Sequence, residues 1–561
     1  MDNLRLVLWA GFFVLLWLGV NQWNSDYGAP NPPSAASTQT NAAPTQTNNN
    51  TKEASGVLGL SDNLPVIAIE NGPTETSENP RLSTRLVTVT TDVFELSINP
   101  DRGGDIVQAR LLKYFPNKDD QSKKIELLSY NEDNYQYFQT GLLSLSGLPE
   151  PNHQQAFLEK DRKIELREGQ EQVSTSLVWK IKQDQTNLEV KKSYTFQRGR
   201  YDILLTYDIK NLGTQDYTFV LYNQLVKKDK KAERSMFNVE TYSYNGPIIY
   251  NGESYQKIDT AELADTPLRE THTNGWASNI QHHFLVAMVP EQNQPYTFSA
   301  SSDPANELYK VAMVGQTPVT VRPGSRAQVS TTFFVGPKIQ EQLKDVAQGL
   351  ELSVDFGKLT FLSAPLFWLL NKTHQLVRNW GLAIILVTLL IKLLFYPLTE
   401  ASGKSMAKMR KVQPRIKAIQ DRHKDDKQAQ SQAMMELYKK EKVNPMAGCL
   451  PMLIQIPFFI AFYWVLLESV EIRQAPFFLW IQDLSSRDPY FVLPLLMGLG
   501  MFFQQKLNPA PPDPMQAKIM TAMPIMFTAM FAFFPSGLVL YWLTNSLLSI
   551  AQQWKINRAA Q

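Results

Sequence analysis

The chain has a single cysteine, Cys449, among its 561 residues. That excludes an internal disulfide and leaves no second thiol for a metal pair, so Cys449 reads as a small packing residue. A large domain folding outside the cytoplasm then has core burial to hold it, which a domain of that size supplies. Charge of one sign is also missing: 55 Lys and Arg against 53 Asp and Glu leave +2, which selects no class of partner. No internal repeat is evident, and no set of carboxylates accompanies the adjacent His282 and His283. Residues 25–55 almost lack aliphatic side chains and are rich in Asn, Gln, Thr, Pro and Ala. Such a segment cannot bury enough apolar area to offset its ordering entropy, so 24–56 reads as a flexible linker.

Apolar residues are plentiful but unevenly placed. Residues 1–23 carry Arg5 and then a long apolar run, with no small-x-small cleavage site after it and no cysteine for lipidation. The expectation is an uncleaved signal anchor with its N-terminus inside, exporting the segment after it. From 57 to 345 the pattern has period two. Phe94, Leu96 and Ile98 alternate with Glu95 and Ser97, and Ile203, Leu205, Tyr207 and Ile209 alternate with their neighbours. Leu188–Val190 and Tyr194–Phe196 give shorter pieces of the same kind, and turns are expected at Arg102-Gly103-Gly104, Arg198-Gly199-Arg200 and Asn211-Leu212-Gly213. Short alternating strands with such turns predict an antiparallel β-sandwich. Two-sheet domains of this kind resemble sugar mutarotases, but consecutive strand residues point to opposite faces, so His282 and His283 do not readily share a site. The sandwich reads as a docking or spacing module.

Residues 359–379 are apolar on one side, then basic at Lys372 and Arg378, and suit a helix lying in a membrane interface. Five candidate spans come next, 380–398, 450–470, 490–506, 519–535 and 537–553, several of them near the short limit of about 17 residues. With the anchor this makes six. The loop 399–448 holds twelve Lys and Arg against six Asp and Glu, which places it in the cytoplasm, whereas 471–489 has only Arg473 and Arg487. Within that loop, Met409, Val412, Ile416 and Ile419, then Met434, Leu437 and Tyr438, predict two helices from Met406 to Val443 around a polar turn at 421–426. This basic hairpin has ribosomal RNA, anionic lipid or a nascent chain as candidate contacts, and obedience to the topology rule explains its charge equally well. The tail 554–561 is short, with only Lys555 and Arg558 basic after Trp554, which predicts weak autonomous ribosome binding.

Lys392 interrupts the first of these five spans, where a charge costs about 2.5–3.5 kcal/mol on insertion-derived scales. Thr388 lies one turn earlier on the same face, so the pair predicts a wet, positive recess; a Lys stem snorkelling to inner headgroups is the competing reading. Gln455 places an amide between Pro451 and Pro457, either as packing glue across helices or as a ligand contact. Tyr541, Trp542, Thr544, Asn545 and Ser546 form a polar and aromatic stripe on the last span.

The string Asn444–Pro457 (NPMAGCLPMLIQIP), the run Phe395-Tyr396-Pro397-Leu398-Thr399, Ser405–Arg410 (SMAKMR), Gln474–Trp480 (QAPFFLW) and Phe534–Tyr541 (FPSGLVLY) resemble the YidC family of membrane protein insertases. The similarity runs from about Leu359 to Gln553, and the sandwich with six spans resembles the Gram-negative form. The resemblance implies a multi-pass inner-membrane protein: a five-helix insertase core at 380–553, a periplasmic sandwich, a cytoplasmic hairpin, and both termini in the cytoplasm. It implies an insertase and chaperone that is no enzyme and uses no cofactor, ATP or metal. Nascent small membrane proteins would enter a hydrophilic groove and leave into lipid, alone or with the Sec translocon. The ribosome and the signal-recognition-particle receptor are further implied partners. The family's groove charge, usually arginine, falls by position on Lys392, which keeps the charge and loses the bidentate fork. Its substrate-contacting positions fall on Thr388, Tyr541 and Trp542, the last a departure from the usual tyrosine. With Gln455 and Asn545 these make the expected groove. A channel or secondary transporter using Lys392 as an ion or substrate site is the alternative, and inverted repeats that would favour it are not visible.

Overall fold

A computed structural model describes residues 85–131, 135–229, 243–423, 426–441, 450–507 and 514–559. The expected anchor 1–23, the linker 24–56, the stretch 57–84, and Cys449 with the motif start at Asn444 lie outside the described residues.

Period-two burial builds the β portion. Ile203, Leu205, Tyr207 and Ile209 are fully buried while Leu204 between them is exposed. Their strand, Asp202–Asn211, pairs antiparallel with Thr186–Gln197 on one side and Arg326–Pro337 on the other. Two sheets of 11 and nine strands result, and many of the pairings join strands distant in sequence. Among the described strands the pairing is antiparallel except where Val87–Thr90 runs parallel to Lys163–Glu165. The short pieces expected at Leu188–Val190 and Tyr194–Phe196 are one continuous strand of 12 residues. Lys192 hid this continuity: it sits on the inward phase, buried, donating to the Gly103 carbonyl at 2.6 Å beneath the rings of Phe157, Tyr194 and Tyr207. Gly103 turns at φ +63°, and a Cβ there would stand 2.4 Å from the His153 Cα, so only glycine fits.

His282 and His283 correct an expectation. They form the turn between strands Trp276–Gln281 and Phe284–Pro290, with His282 at φ +45°, and their rings stack 3.7 Å apart. Strand parity therefore does not separate them. Burial and the neighbouring His282 hold the His283 imidazole well below its usual range, so it stays neutral.

Helix α1 (Gln340–Val346) follows the last strand, and eight more helices come after it among the described residues: α2 (Thr360–Val377), α3 (Trp380–Leu394), α4 (Tyr396–Arg422), α5 (Lys427–Lys440), α6 (Leu450–Glu468), α7 (Val492–Lys506), α8 (Pro514–Phe531) and α9 (Ser536–Ala559). The span expected at 380–398 is broken at Phe395, where α3 and α4 meet at 65°. Pro397 sits in the first turn of α4. In a continuing helix its ring would clash with the Leu393 carbonyl and remove a hydrogen bond, whereas a helix start tolerates it. Among the described residues no single helix is long and apolar enough to cross a membrane alone; α3 and α4 meet that test only together, as a bent pair. The hairpin helices are α4 and α5, with α4 beginning at Tyr396 rather than Met406. Their contact is the small apolar cluster of Val412 and Ile416 with Met409, Met434, Leu437 and Tyr438.

Buried polar contacts join the β portion to the end of α6. The Lys338 ammonium lies 3.3 Å from the Glu468 carboxylate, with their side chains 1% and 5% exposed. Ser243 donates to the same carboxylate at 2.7 Å, and His282 Nε2 donates to the Leu467 carbonyl at 2.9 Å. On the next loop Arg473 donates to the Phe115 carbonyl at 2.7 Å.

Candidate functional site: a polar line between apolar helices

Asn379 starts α3 by accepting from the Leu382 N–H at 3.0 Å, a standard N-cap that ends the preceding turn. From there Ile384, Thr388, Ile391 and Lys392 fall on the buried side. The opposite side leaves Leu390, Leu393 and Leu394 exposed, as are Leu495, Leu496 and Leu499 on α7 and Ile525, Met526 and Met530 on α8. Exposed apolar area on this scale suits hydrocarbon rather than water.

Lys392 is 8% exposed, and its ammonium donates to Ser549 Oγ at 2.7 Å. No described carboxylate pairs with it. Ser549 donates in turn to the Asn545 carbonyl at 2.7 Å, and Asn545 Oδ1 accepts from Gln455 Nε2 at 3.2 Å. A continuous line of polar groups thus runs from α3 through α9 to α6. Each partner satisfies a group that would otherwise be costly among apolar side chains.

Of the residues singled out in the sequence, Lys392, Asn545 and Gln455 come together in this line. Thr388 is 1% exposed, one turn from Lys392, and its hydroxyl donates to the Ile384 carbonyl at 2.7 Å, so its own helix satisfies it. Tyr541 and Trp542 belong to an aromatic wall instead. Tyr541 is 3% exposed and stacks on Phe462 with centroids 4.5 Å apart. Trp542 meets Phe459 edge-on at 4.7 Å and stacks over Phe527 at 6.1 Å. Sequence reasoning missed Ser549, Phe459 and Phe462. Ser549 had a usable signal: Tyr541, Asn545 and Ser549 recur every four residues along one face of α9.

The arrangement offers hydrogen-bond donors, acceptors and one positive charge among apolar walls. It can hold and orient polar groups of another chain. Among the described residues no group of three or more His, Cys, Asp or Glu is placed to hold a metal ion.

Comparison with known proteins bears on both halves of the chain. The family model described as 60Kd inner membrane protein matches residues 372–561, and the one described as YidC periplasmic domain matches 86–369. The membrane protein insertase YidC of Thioalkalivibrio sulfidiphilus is 44% identical over 570 residues, covering 100% of this chain and 98% of its own. The protein of the same name from Alkalilimnicola ehrlichii is 47% identical over 475 residues, covering 84% of this chain and 83% of its own. A crystal structure described as active YidC insertase with the first transmembrane domain resolved is 19% identical, with a TM-score of 0.37 over 84% of this chain and 92% of that one.

Proposed function

This chain belongs to the YidC family of membrane protein insertases, and on that premise we propose that its polar line is where a nascent membrane protein exchanges hydrogen bonds on its way into the bilayer. The observation that carries the reading is the Lys392 ammonium, held by the Ser549 hydroxyl between α3 and α9 with no described carboxylate beside it. An anionic client group competes well for such a cation, because it replaces a neutral acceptor with a charge-assisted one.

In this reading α3 and α6 to α9 cross the inner membrane together with the anchor at 1–23, α2 lies at the outer interface, and the α4–α5 hairpin and the end of α9 face the cytoplasm. The sandwich is periplasmic. A client tail carrying Asp or Glu meets a barrier of about 2.5–3.5 kcal/mol per charge in hydrocarbon. Lys392, Asn545 and Gln455 lower it by standing in for lost water, while the client's apolar segment slides along the side of Trp542 and the exposed leucines. Thr388 and Tyr541 are buried in the arrangement described, so their contact with a client requires α3, α6 and α9 to part. The aromatic contacts of Tyr541 with Phe462 are non-covalent and re-form once the client leaves into lipid. The Sec translocon, the ribosome and the signal-recognition-particle receptor are partners carried over from the family resemblance.

Site-specific photo-crosslinking from positions 388 and 541 to a stalled nascent membrane protein tests the reading. Capture at both is expected; capture at neither, with client bound, overturns it.

A further inference from the structure

We propose that a groove between α7 and α9 is a binding site for an anionic phospholipid of the cytoplasmic leaflet. The groove has a volume of about 540 Å³ and is walled by Phe503 of α7 and by Leu547, Ile550, Ala551 and Trp554 of α9. Lys506 is the one charged residue in its described lining. That ammonium stands 4.7 Å from the Phe502 ring centroid, at the C-terminal end of α7. Two guanidinium groups are nearby: Arg410 of α4 donates to the Leu507 carbonyl, and Arg558 lies 5.6 Å from the ring centroid of the exposed Trp554. Neither α7 nor α9 contains an Asp or Glu, and Glu400 of α4 is engaged by Lys404 at 2.8 Å. An apolar trough ending in cations and an indole fits an amphiphile with a negative head.

Size decides between lipid and client. A helix about 10–12 Å across would fill this volume with roughly one turn, far short of a span of about 20 residues. An acyl chain is slender enough to lie along it. The groove is also on the wrong side for the client route. Leu547, Ala551 and Trp554 lie on the face of α9 away from Asn545 and Ser549, given about 3.6 residues per turn. The inference rests on the reading above that α7 and α9 cross the membrane with their C-terminal ends towards the cytoplasm.

The test uses the full chain in vesicles doped with photoactivatable phosphatidylglycerol or phosphatidylcholine, each with the reactive group on the acyl chain. Peptides bearing Phe503 and Ala551 are expected to take the glycerol probe over the choline probe. Lys506→Gln should lower glycerol labelling roughly fivefold, the worth of one cation near the surface. Ala551→Trp fills the trough and should abolish labelling by both probes. Equal labelling by the two probes, or unchanged labelling in Ala551→Trp, overturns the proposal, as does capture of a stalled client by a photoreactive residue at 551. Client capture from Tyr541 in the same vesicles is scored separately. If it persists while lipid labelling fails, only the lipid site is wrong; if it also fails, the insertase reading itself falls.

Discussion

Lys392 is held by a single hydroxyl rather than by a carboxylate fork, and this decides how replacements should behave. Lys392→Arg keeps the positive charge and should insert clients with acidic external tails within about threefold of the parent. On the proposed route Lys392→Ala removes the charge that would offset a cost of about 2.5–3.5 kcal/mol per client carboxylate, and should lower their insertion roughly tenfold or more. Protease protection of such clients in vesicles, at matched protein levels, checks both; full insertion by the alanine variant removes Lys392 from the mechanism. In the sandwich, His153 is wholly buried against the Tyr222 hydroxyl, and burial pushes its imidazole down from 6.5 to about 4, with Arg102, Lys192 and Lys310 adding to the shift. A depressed folded value contributes stability that is complete above about 6.5 and is lost as pH falls through about 4, up to roughly 3 kcal/mol. Hydrogen exchange in strand Tyr217–Lys228 of the full chain should therefore lose more protection between pH 7 and pH 4 in the parent than in His153→Gln. An equal loss in both would show that His153 carries none of the effect. Lys392 was legible in the sequence because a charge inside an apolar run is conspicuous. Ser549 was not, because a helical serine is so often satisfied by its own backbone, and only its spacing from Asn545 marks it.

At the level of elements, local signals carried far and then stopped at contacts distant in sequence. Period two located the strand at Asp202–Asn211, and the Met409, Val412 and Ile416 pattern located the hairpin core. The Trp380–Leu398 run hid a break because composition alone does not register a bend, although Pro397 was there to be read as a helix start. The histidine pair was misplaced because a two-residue turn has no hydrophobic period to follow. The junction at Glu468 had no local signal at all, since Lys338 lies 130 residues away. Removing one member of a buried ion pair leaves a charge without its counterpart and costs about 3–5 kcal/mol. Glu468→Ala should destabilise the chain by that amount, and Lys338→Met with Glu468→Leu should recover most of it. Thermal unfolding of the single and double variants, arranged as a mutant cycle, measures the coupling; independent, additive losses would mean that the two side chains do not support one another.

For the molecule as a whole, the polar first half and apolar second half already separated a β-sandwich from a helical membrane part, and the family motifs supplied the insertase. The strand count and the way the two parts are bolted together came only from the structure. An outside-positive potential draws each client carboxylate outward by about 2.3 kcal/mol per 100 mV. Collapsing that potential in vesicles should thus slow acid-tailed clients more than neutral-tailed ones, and Lys392→Ala should deepen the difference. Equal slowing of both client classes would leave the electrostatic route without support.

The Lys338–Glu468 contact also dictates where the chain tolerates being shortened. A fragment beginning after residue 338 would take both the Lys338 cation and the Ser243 hydroxyl from the α6 carboxylate, whereas one beginning a few residues earlier loses Ser243 and keeps the lysine. Trimming the sandwich for biochemical work should therefore show a sharp threshold at that lysine, with yield and stability falling abruptly rather than in proportion to the length removed.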